Sequence, residues 1–452
     1  MRLDNATKAS VAYDSLQKVN DKLNCIITFV KPDKEGIPIA LKDNVSTKSI
    51  LTTASCKILE NYVPVYDAEI VKRLNENGFV TIAKTNMDEL AMGGTNITAL
   101  TGPVRNPYDL SRISGGSSGG SAALVASGVI PCAIGSDTGD SIRKPAAYCG
   151  VIGVKPSYGR ISRYGIIPYS SSLDHVGYFV TNVKDASKML EVLASRDDKD
   201  MTSSYETVLK YSELLDGEVK GKRILVFKNV IDDVEDKTIL DSFNKVITGL
   251  KEKGAIVEEV YFDETLMKAI LPVYYIIANG EATANHANLD GVNFGKRVDG
   301  KTTDEIMFNS RTAGFGPWIK KRFVIGSYAL FEENQERIFR KAQKIRRLIV
   351  NEILDKLQNA DCLIAPTCRN VAPKIVEASC GELLDEQVIA DHHMTIANFS
   401  GLPSMSMPMG FVDGLPIGVC LTCNLFKEDT MFNIAKAIED ITGLEDLTKE
   451  DF

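Results

Sequence analysis

The alternation of apolar and polar positions divides the chain into short buried runs separated by polar, glycine-rich turns. Residues 6–23 carry Val11, Leu16, Val19 and Leu23 near helical spacing and predict an amphipathic helix, with a strand following over 25–30. Gly36-Ile37-Pro38-Ile39-Ala40-Leu41 is a second apolar run, and it ends at Lys42-Asp43-Asn44. Residues 67–77 read as a helix, and 79–83 as a strand leading into Lys84-Thr85-Asn86-Met87-Asp88-Glu89. Between 112 and 145, two loops rich in glycine and serine (115–120 and 136–141) enclose a small apolar helix at 121–126 and a buried strand at 130–134. Loop and strand fragments occupy 150–155 and 166–168. A helix covers 183–194, with Ala186, Met189, Leu190 and Leu193 on one face, and 197–216 is polar surface chain.

Farther along, 223–227, 238–253 and 255–260 form a strand–helix–strand unit. Helices are expected over 271–288 and 327–357, a strand over 361–366, and a strand pair over 404–409 and 417–422 across the turn Asp413-Gly414. A last helix covers 429–441, and no internal repeat is visible. The pattern predicts an α/β protein, layered α/β/α around one central mixed sheet. Its organisation would be an N-terminal helix (1–24) followed by a single domain (25–452).

Composition narrows the function classes. The 452 residues are 44% hydrophobic and 25% charged, values of a globular protein with a large core. The net charge of −8 argues against nucleic acid held on the chain's own surface, which calls for a basic excess; any RNA role falls to a partner. No apolar run approaches the length of a membrane span, and MRLDNATKAS lacks the apolar core of a secretory signal. The nine cysteines are scattered, and Cys132, Cys149 and Cys362 sit in apolar contexts as expected of reduced, buried thiols. Cys420-Leu421-Thr422-Cys423 has no second pair at metal spacing and reads as part of a strand. His392 and His393 are adjacent, so their side chains diverge, and no metal site is expected.

Three nucleophile schemes compete for the glycine- and serine-rich loops. Gly115-Gly116-Ser117-Ser118-Gly119 satisfies the G-x-S-x-G elbow, but that elbow follows a strand directly and needs a downstream histidine. Residues 106–112 are polar and turn-like, and none of the four histidines has a helpful context. A phosphate loop needs Gly-Lys-Ser/Thr after its glycines, and none occurs. The third scheme uses lysine as the base: a serine hydroxyl needs a base within hydrogen-bond reach, and a buried lysine can be neutral. Lys42, Ser117 and Ser141 supply one such set, although Lys42 taken alone could be a solvated strand end.

These same runs resemble the amidase signature family. The resemblance rests on 36–44, on 115–121 and on 135–145, with 75 residues from Lys42 to Ser117 and 24 from Ser117 to Ser141. It continues through 84–89, 153–160 and Ser172-Leu173-Asp174, and covers roughly residues 20 to 445. Within the family, 85–93, Ser162-Arg163-Tyr164-Gly165, 274–279, Asp391, 395–398 and Gly401-Leu402-Pro403 are similar to the branch that provides the glutaminase subunit of tRNA-dependent amidotransferases.

The resemblance implies Ser141 as nucleophile, Ser117 as a bridging serine after a cis Gly116–Ser117 bond, and Lys42 as base and later acid. It implies an oxyanion hole of backbone N–H groups from Thr138, Gly139, Asp140 and Ser141, and a glutamine site at Tyr274, Arg322 and Asp391. By itself Arg322 follows Lys320-Lys321 like a solvated basic face, and Asp391 could be a helix cap. The implied reaction is hydrolysis of glutamine to glutamate and ammonia. The ammonia would pass to a partner B subunit that uses ATP and Mg²⁺ and holds the tRNA, with a small third, C-like subunit in the complex. This chain would carry no cofactor of its own, and would be cytoplasmic in a bacterium, or alternatively belong to a mitochondrial matrix or plastid. The alternatives are a free-standing amidase of another small amide and a non-catalytic scaffold subunit.

The chain departs from the family pattern at two places. Asp140 stands where the family has glycine, directly before Ser141, so its carboxylate must point away from the oxyanion or pair with Arg143 or Lys144. Lys42 also arrives early, which implies an abbreviated opening helix and altered contact with the third subunit.

Overall fold

In the computed structural model, which describes residues 2–379 and 392–449, eleven segments pair into one mixed sheet. In chain order they are β1 (Ile26–Phe29), β2 (Ile37–Lys42), β3 (Phe79–Thr85), β4 (Cys132–Asp137), β5 (Ile152–Lys155), β6 (His175–Val180), β7 (Arg223–Phe227), β8 (Ile256–Val260), β9 (Cys362–Pro366), β10 (Ser404–Val412) and β11 (Leu415–Cys423). Across the sheet the order is β1-β3-β2-β4-β6-β5-β10-β11-β9-β7-β8. β3, β2 and β4 run parallel, as do β9, β7 and β8; the remaining neighbours are antiparallel.

Side-chain alternation along the strands sorts the core into layers. Ile39, Leu41, Cys132, Ile134, Ile224, Val226, Cys362 and Ile364 face one side, under the helices Glu69–Glu76, Val183–Leu193, Lys237–Glu252 and Glu428–Thr442. The residues between them face the other side. There Ala40 and Ala133 meet the helices Ala9–Leu23, Gly119–Ala126 and Arg143–Cys149, while Leu225, Phe227, Leu363 and Ala365 meet Glu264–Asn285 and Lys341–Leu357. The central strands are therefore buried on both faces, which is why most read as short continuous apolar runs, while the edge strand β8 is largely exposed.

Most expected elements are present, and the differences have local causes. The opening helix buries Ala9, Ala12, Leu16, Val19 and Leu23, while Val11 points to solvent. Residues 152–155 form a full strand, whereas 166–168 contributes only a bridge from Ile166 to Val45. The central strand β6 is not expected from the pattern, because Gly177 interrupts its apolar run. That glycine is required by packing: a Cβ there would run into the Val154 carbonyl oxygen of β5. Helices at 143–149, 303–314 and 317–330 are likewise additional to the expected ones. The helix expected over 327–357 is broken at Phe331, whose ψ of 142° is extended, and resumes in regular α form over Lys341–Leu357. The strand–helix–strand unit at 223–260 and the hairpin through Asp413 (φ 50°) and Gly414 (φ 79°) are as expected. Among the described residues no helix is long and apolar enough to cross a membrane.

Candidate active site

The carboxyl ends of the parallel strands β2 and β4 lie side by side, the usual place for a site in an open α/β sheet. Lys42 is the last residue of β2, and Ser136 and Asp137 close β4. Far from being a solvated strand end, Lys42 is completely buried. Its Nζ lies 2.7 Å from Ser117 Oγ, 2.8 Å from Ser118 Oγ, 2.9 Å from Ser136 Oγ and 3.3 Å from Ser136 O. Burial brings the Lys42 ammonium down to about 7, against the opposing pull of the Asp88, Asp137 and Asp174 carboxylates.

The neighbouring lysine shows what makes Lys42 different. Successive residues of a strand face opposite sides, so Asp43 points away from Lys42. Its Oδ1 stands 3.7 Å from Lys84 Nζ, which also donates to Val45 O and Thr52 Oγ1. Among the described residues no carboxylate forms an ion pair with Lys42. Proton bookkeeping then suits a neutral amine. Ser118 Oγ donates to Ser136 O at 3.0 Å, so it accepts from Lys42, and Ser136 Oγ accepts from Asn44 Nδ2 at 3.1 Å. Ser117 Oγ, like Ser136 Oγ, keeps a hydroxyl proton that it can donate to the amine lone pair.

Ser117 follows a cis Gly116–Ser117 bond, as the family resemblance implies, and opens into the buried helix Gly119–Ala126. Asp88 lies against this turn: it accepts from Asn96 N and Thr98 Oγ1, and a Cβ on Gly116 would run into its carboxylate. Ser141 is buried on the facing loop, its carbonyl accepting from Ser118 N at 3.2 Å. The structure thus brings Lys42 and Ser117 into direct contact. Ser141 is joined to them through its backbone, and its hydroxyl makes no bond to another described residue.

The Ser141 loop is held from behind. Arg143 pairs with Asp137 at 2.9 Å and donates to Gly139 O, Met394 O and Asn398 Oδ1, all fully buried; Asn398 Nδ2 returns a bond to Asp137. The Arg143 charge, together with the Ile142 N–H that donates to Asp137 at 2.9 Å, holds Asp137 well below the usual carboxylate range despite its burial. Thr138 Oγ1 donates to Asp174 at 2.7 Å. With the carbonyl of Gly139 turned onto Arg143, the N–H groups of Gly139, Asp140 and Ser141 donate to no other described group. Asp140 does not adopt the left-handed backbone, and its carboxylate pairs with Lys144, one of the two partners expected for it.

Tyr274, on the long helix Glu264–Asn285, lies against Gly139: a Cβ there would be 3.2 Å from the tyrosine ring. Tyr274 stacks edge-on with Tyr169 at 6.5 Å, and Tyr169 OH accepts from Arg322 Nη1 at 3.0 Å. Arg322 also lies 5.1 Å over the Tyr275 ring, and it lines a cavity of about 210 Å³ with Met92, Thr98 and Trp318. It is therefore not a solvated basic face. Asp391 lies outside the described residues. Sequence reasoning does not single out Ser118, Ser136, Asp137, Tyr169 or Asn398. The two serines and Asp137 lie within the glycine- and serine-rich loops, and Asn398 within the 395–398 run, without a role assigned to them, but Tyr169 carries no local signal. Cys420 and Cys423 sit in β11, and no group of three or more potential metal ligands occurs among the described residues.

Comparison with known proteins agrees with this geometry. The amidase family matches residues 12–432. The A subunit of the glutamyl-tRNA(Gln) amidotransferase of Sulfurihydrogenibium sp. is 42% identical over 91% of this chain and 84% of its own length. That of Koribacter versatilis is 43% identical over 96% and 89%. The crystal structure of the corresponding protein from Thermotoga maritima superposes with a TM-score of 0.81 at 35% identity, covering 96% of this chain and 91% of that one. The chain belongs to the amidase family, in the group of the glutamyl-tRNA(Gln) amidotransferase A subunits.

Proposed function

We propose that this chain is the glutaminase subunit of a tRNA-dependent amidotransferase, hydrolysing glutamine to glutamate and ammonia through Ser141, Ser117 and Lys42. One observation carries the reading: a fully buried Lys42 amine, with a pKa of about 7 and no paired carboxylate among the described residues, 2.7 Å from Ser117 Oγ. A serine attacks an amide only when a base removes its proton, and a neutral lysine reached through a second hydroxyl supplies that base.

In this mechanism Ser141 Oγ attacks the side-chain carboxamide carbon while its proton passes through Ser117 to Lys42. The oxyanion meets the N–H groups of Thr138, Gly139, Asp140 and Ser141, where one lost donor typically lowers the rate about 10²–10³-fold. Lys42 returns the proton to the departing nitrogen, which leaves as ammonia, and water then cleaves the acyl-enzyme by the same route. Arg322 would hold the α-carboxylate of glutamine in a bidentate pair, Tyr274 would close over the loop, and Asp391 would take the α-ammonium.

Ammonia would travel to a B subunit that activates glutamyl-tRNA(Gln) with ATP and Mg²⁺, with a small C-like third subunit completing a heterotrimer. The acidic charge of this chain supports leaving the tRNA to that partner. Ammonia release from glutamine, measured beside Ser141→Ala, tests the proposal. Release by the parent and its loss in the variant support it. Release that persists in the variant removes Ser141 from its role, and strong turnover of apolar amides by the isolated chain makes this a free-standing amidase.

A further inference from the structure

Two consecutive cations fasten the loop that carries Ser141, and they do different work. Arg143 neutralises Asp137 and turns the Gly139 carbonyl. Lys144 reaches back one helical turn to the carboxylate of Asp140, the residue directly before Ser141. The pair is close to sealed from water, with the Lys144 side chain 2% and the Asp140 side chain 18% exposed. Lys144 N donates to Asp140 O at 2.9 Å, so backbone and side chain lock the same turn, with the acid N-terminal to the base as helical pairs favour.

We propose that the Asp140–Lys144 ion pair keeps the Ser141 loop electrically neutral where the oxyanion forms, which makes Lys144 a positioning residue for amide hydrolysis. This rests on the glutaminase reading of the site. The Asp140 backbone is outside the left-handed region, so its position does not demand glycine, and the difficulty of an aspartate here is one of charge. Asp140 N–H is itself one of the proposed oxyanion donors, so the carboxylate on the same residue lies within a few ångströms of the developing negative charge. Unpaired, at about 5 Å and an effective dielectric of about 20, it would oppose the transition state by on the order of 10²-fold in rate.

Among the described residues, the other charged or titratable groups facing Asp140 are Asp137 and Arg143 on its own segment, already paired with each other, and Tyr274 from the long helix. Among the described residues, His392 and His393 from the segment after 391 face Lys144, and Arg369 from the loop after β9 faces those histidines. Burial brings the two histidines down to about 4 and about 3, so neither carries charge at neutral pH, and Arg369 pairs with Asp233. Among the described residues, neutralising Asp140 therefore falls to Lys144, its ion-pair partner.

The test compares Lys144→Met and Asp140→Asn/Lys144→Met with the parent, as full chains with their partner subunits, by ammonia release from glutamine between pH 5 and 9. Without Lys144 the Asp140 carboxyl titrates at higher pH, and the enzyme is impaired only where it is ionised. The ratio of variant to parent kcat/KM for Lys144→Met is therefore expected to fall with rising pH, to on the order of 10⁻². The double variant is expected to recover to within about tenfold, with a ratio independent of pH. A pH-independent loss in Lys144→Met, as from a merely displaced loop, overturns the proposal, as does a double variant no better than the single one. Should Lys144→Met fail to fold, recovery or loss in the double variant decides alone. A parent that releases no more ammonia than Ser141→Ala sinks the glutaminase reading itself, and this inference with it.

Discussion

Replacing Lys42 by methionine, of similar length and without charge, separates what the site gives to chemistry from what it takes from stability. Burial lowers the Lys42 pKa from 10.5 to about 7. At about 1.4 kcal/mol per unit, holding the ammonium in the fold costs about 5 kcal/mol well below pH 7 and about 4 kcal/mol at pH 7. Against this, the variant gives up bonds to the hydroxyls of Ser117, Ser118 and Ser136, worth about 1 kcal/mol each.

Lys42→Met should therefore be more stable than the parent by about 1–2 kcal/mol at pH 6–7, while ammonia release falls by at least about 10²-fold. The sign with pH is fixed. Because the folded pKa lies below the unfolded one, the unfolded parent holds the extra proton between pH 7 and 10.5, and parent stability rises with pH across that window. The advantage of the variant then shrinks by about 1.4 kcal/mol per unit and is gone by about pH 8.5. Urea midpoints and slopes at pH 6, 7, 8 and 9 measure both curves. A variant less stable than the parent at pH 6, or a difference that ignores pH, would refute the assignment of Lys42 as a buried amine poised near neutrality.

Three further outcomes follow from the same geometry. In the parent, kcat/KM for glutamine should rise about tenfold between pH 6 and 8, as Lys42 loses its proton through about 7; a flat profile there would count against lysine as the base. Asp137→Asn strands Arg143 without its carboxylate in a fully buried position and should lower unfolding stability by about 3–5 kcal/mol, read as a drop in the urea midpoint. Arg322→Lys cannot bond Tyr169 and grip a carboxylate bidentately at once, so KM for glutamine should rise about tenfold or more with kcat changed far less; a fall in kcat at unchanged KM would move Arg322 out of substrate binding.

Local pattern was enough for whatever a residue decides with its near neighbours. The hairpin at 404–423, the strand–helix–strand unit at 223–260 and the apolar run ending at Lys42 were legible because period, turn residues and burial coincide within a few positions. So was the grouping of Ser117, Ser141 and Lys42 as candidates, through the long motifs that frame them. What sequence could not reveal depends on contacts across the sheet. β6 hides behind a glycine whose reason is the Val154 carbonyl of another strand. Asn398 clasps Asp137 and Arg143 from more than 250 positions away, and Tyr169 ties Arg322 to Tyr274. The charge state of Lys42 belongs to this second class: its depressed pKa comes from complete desolvation among three serines, and burial of that kind exists only once the layers have closed.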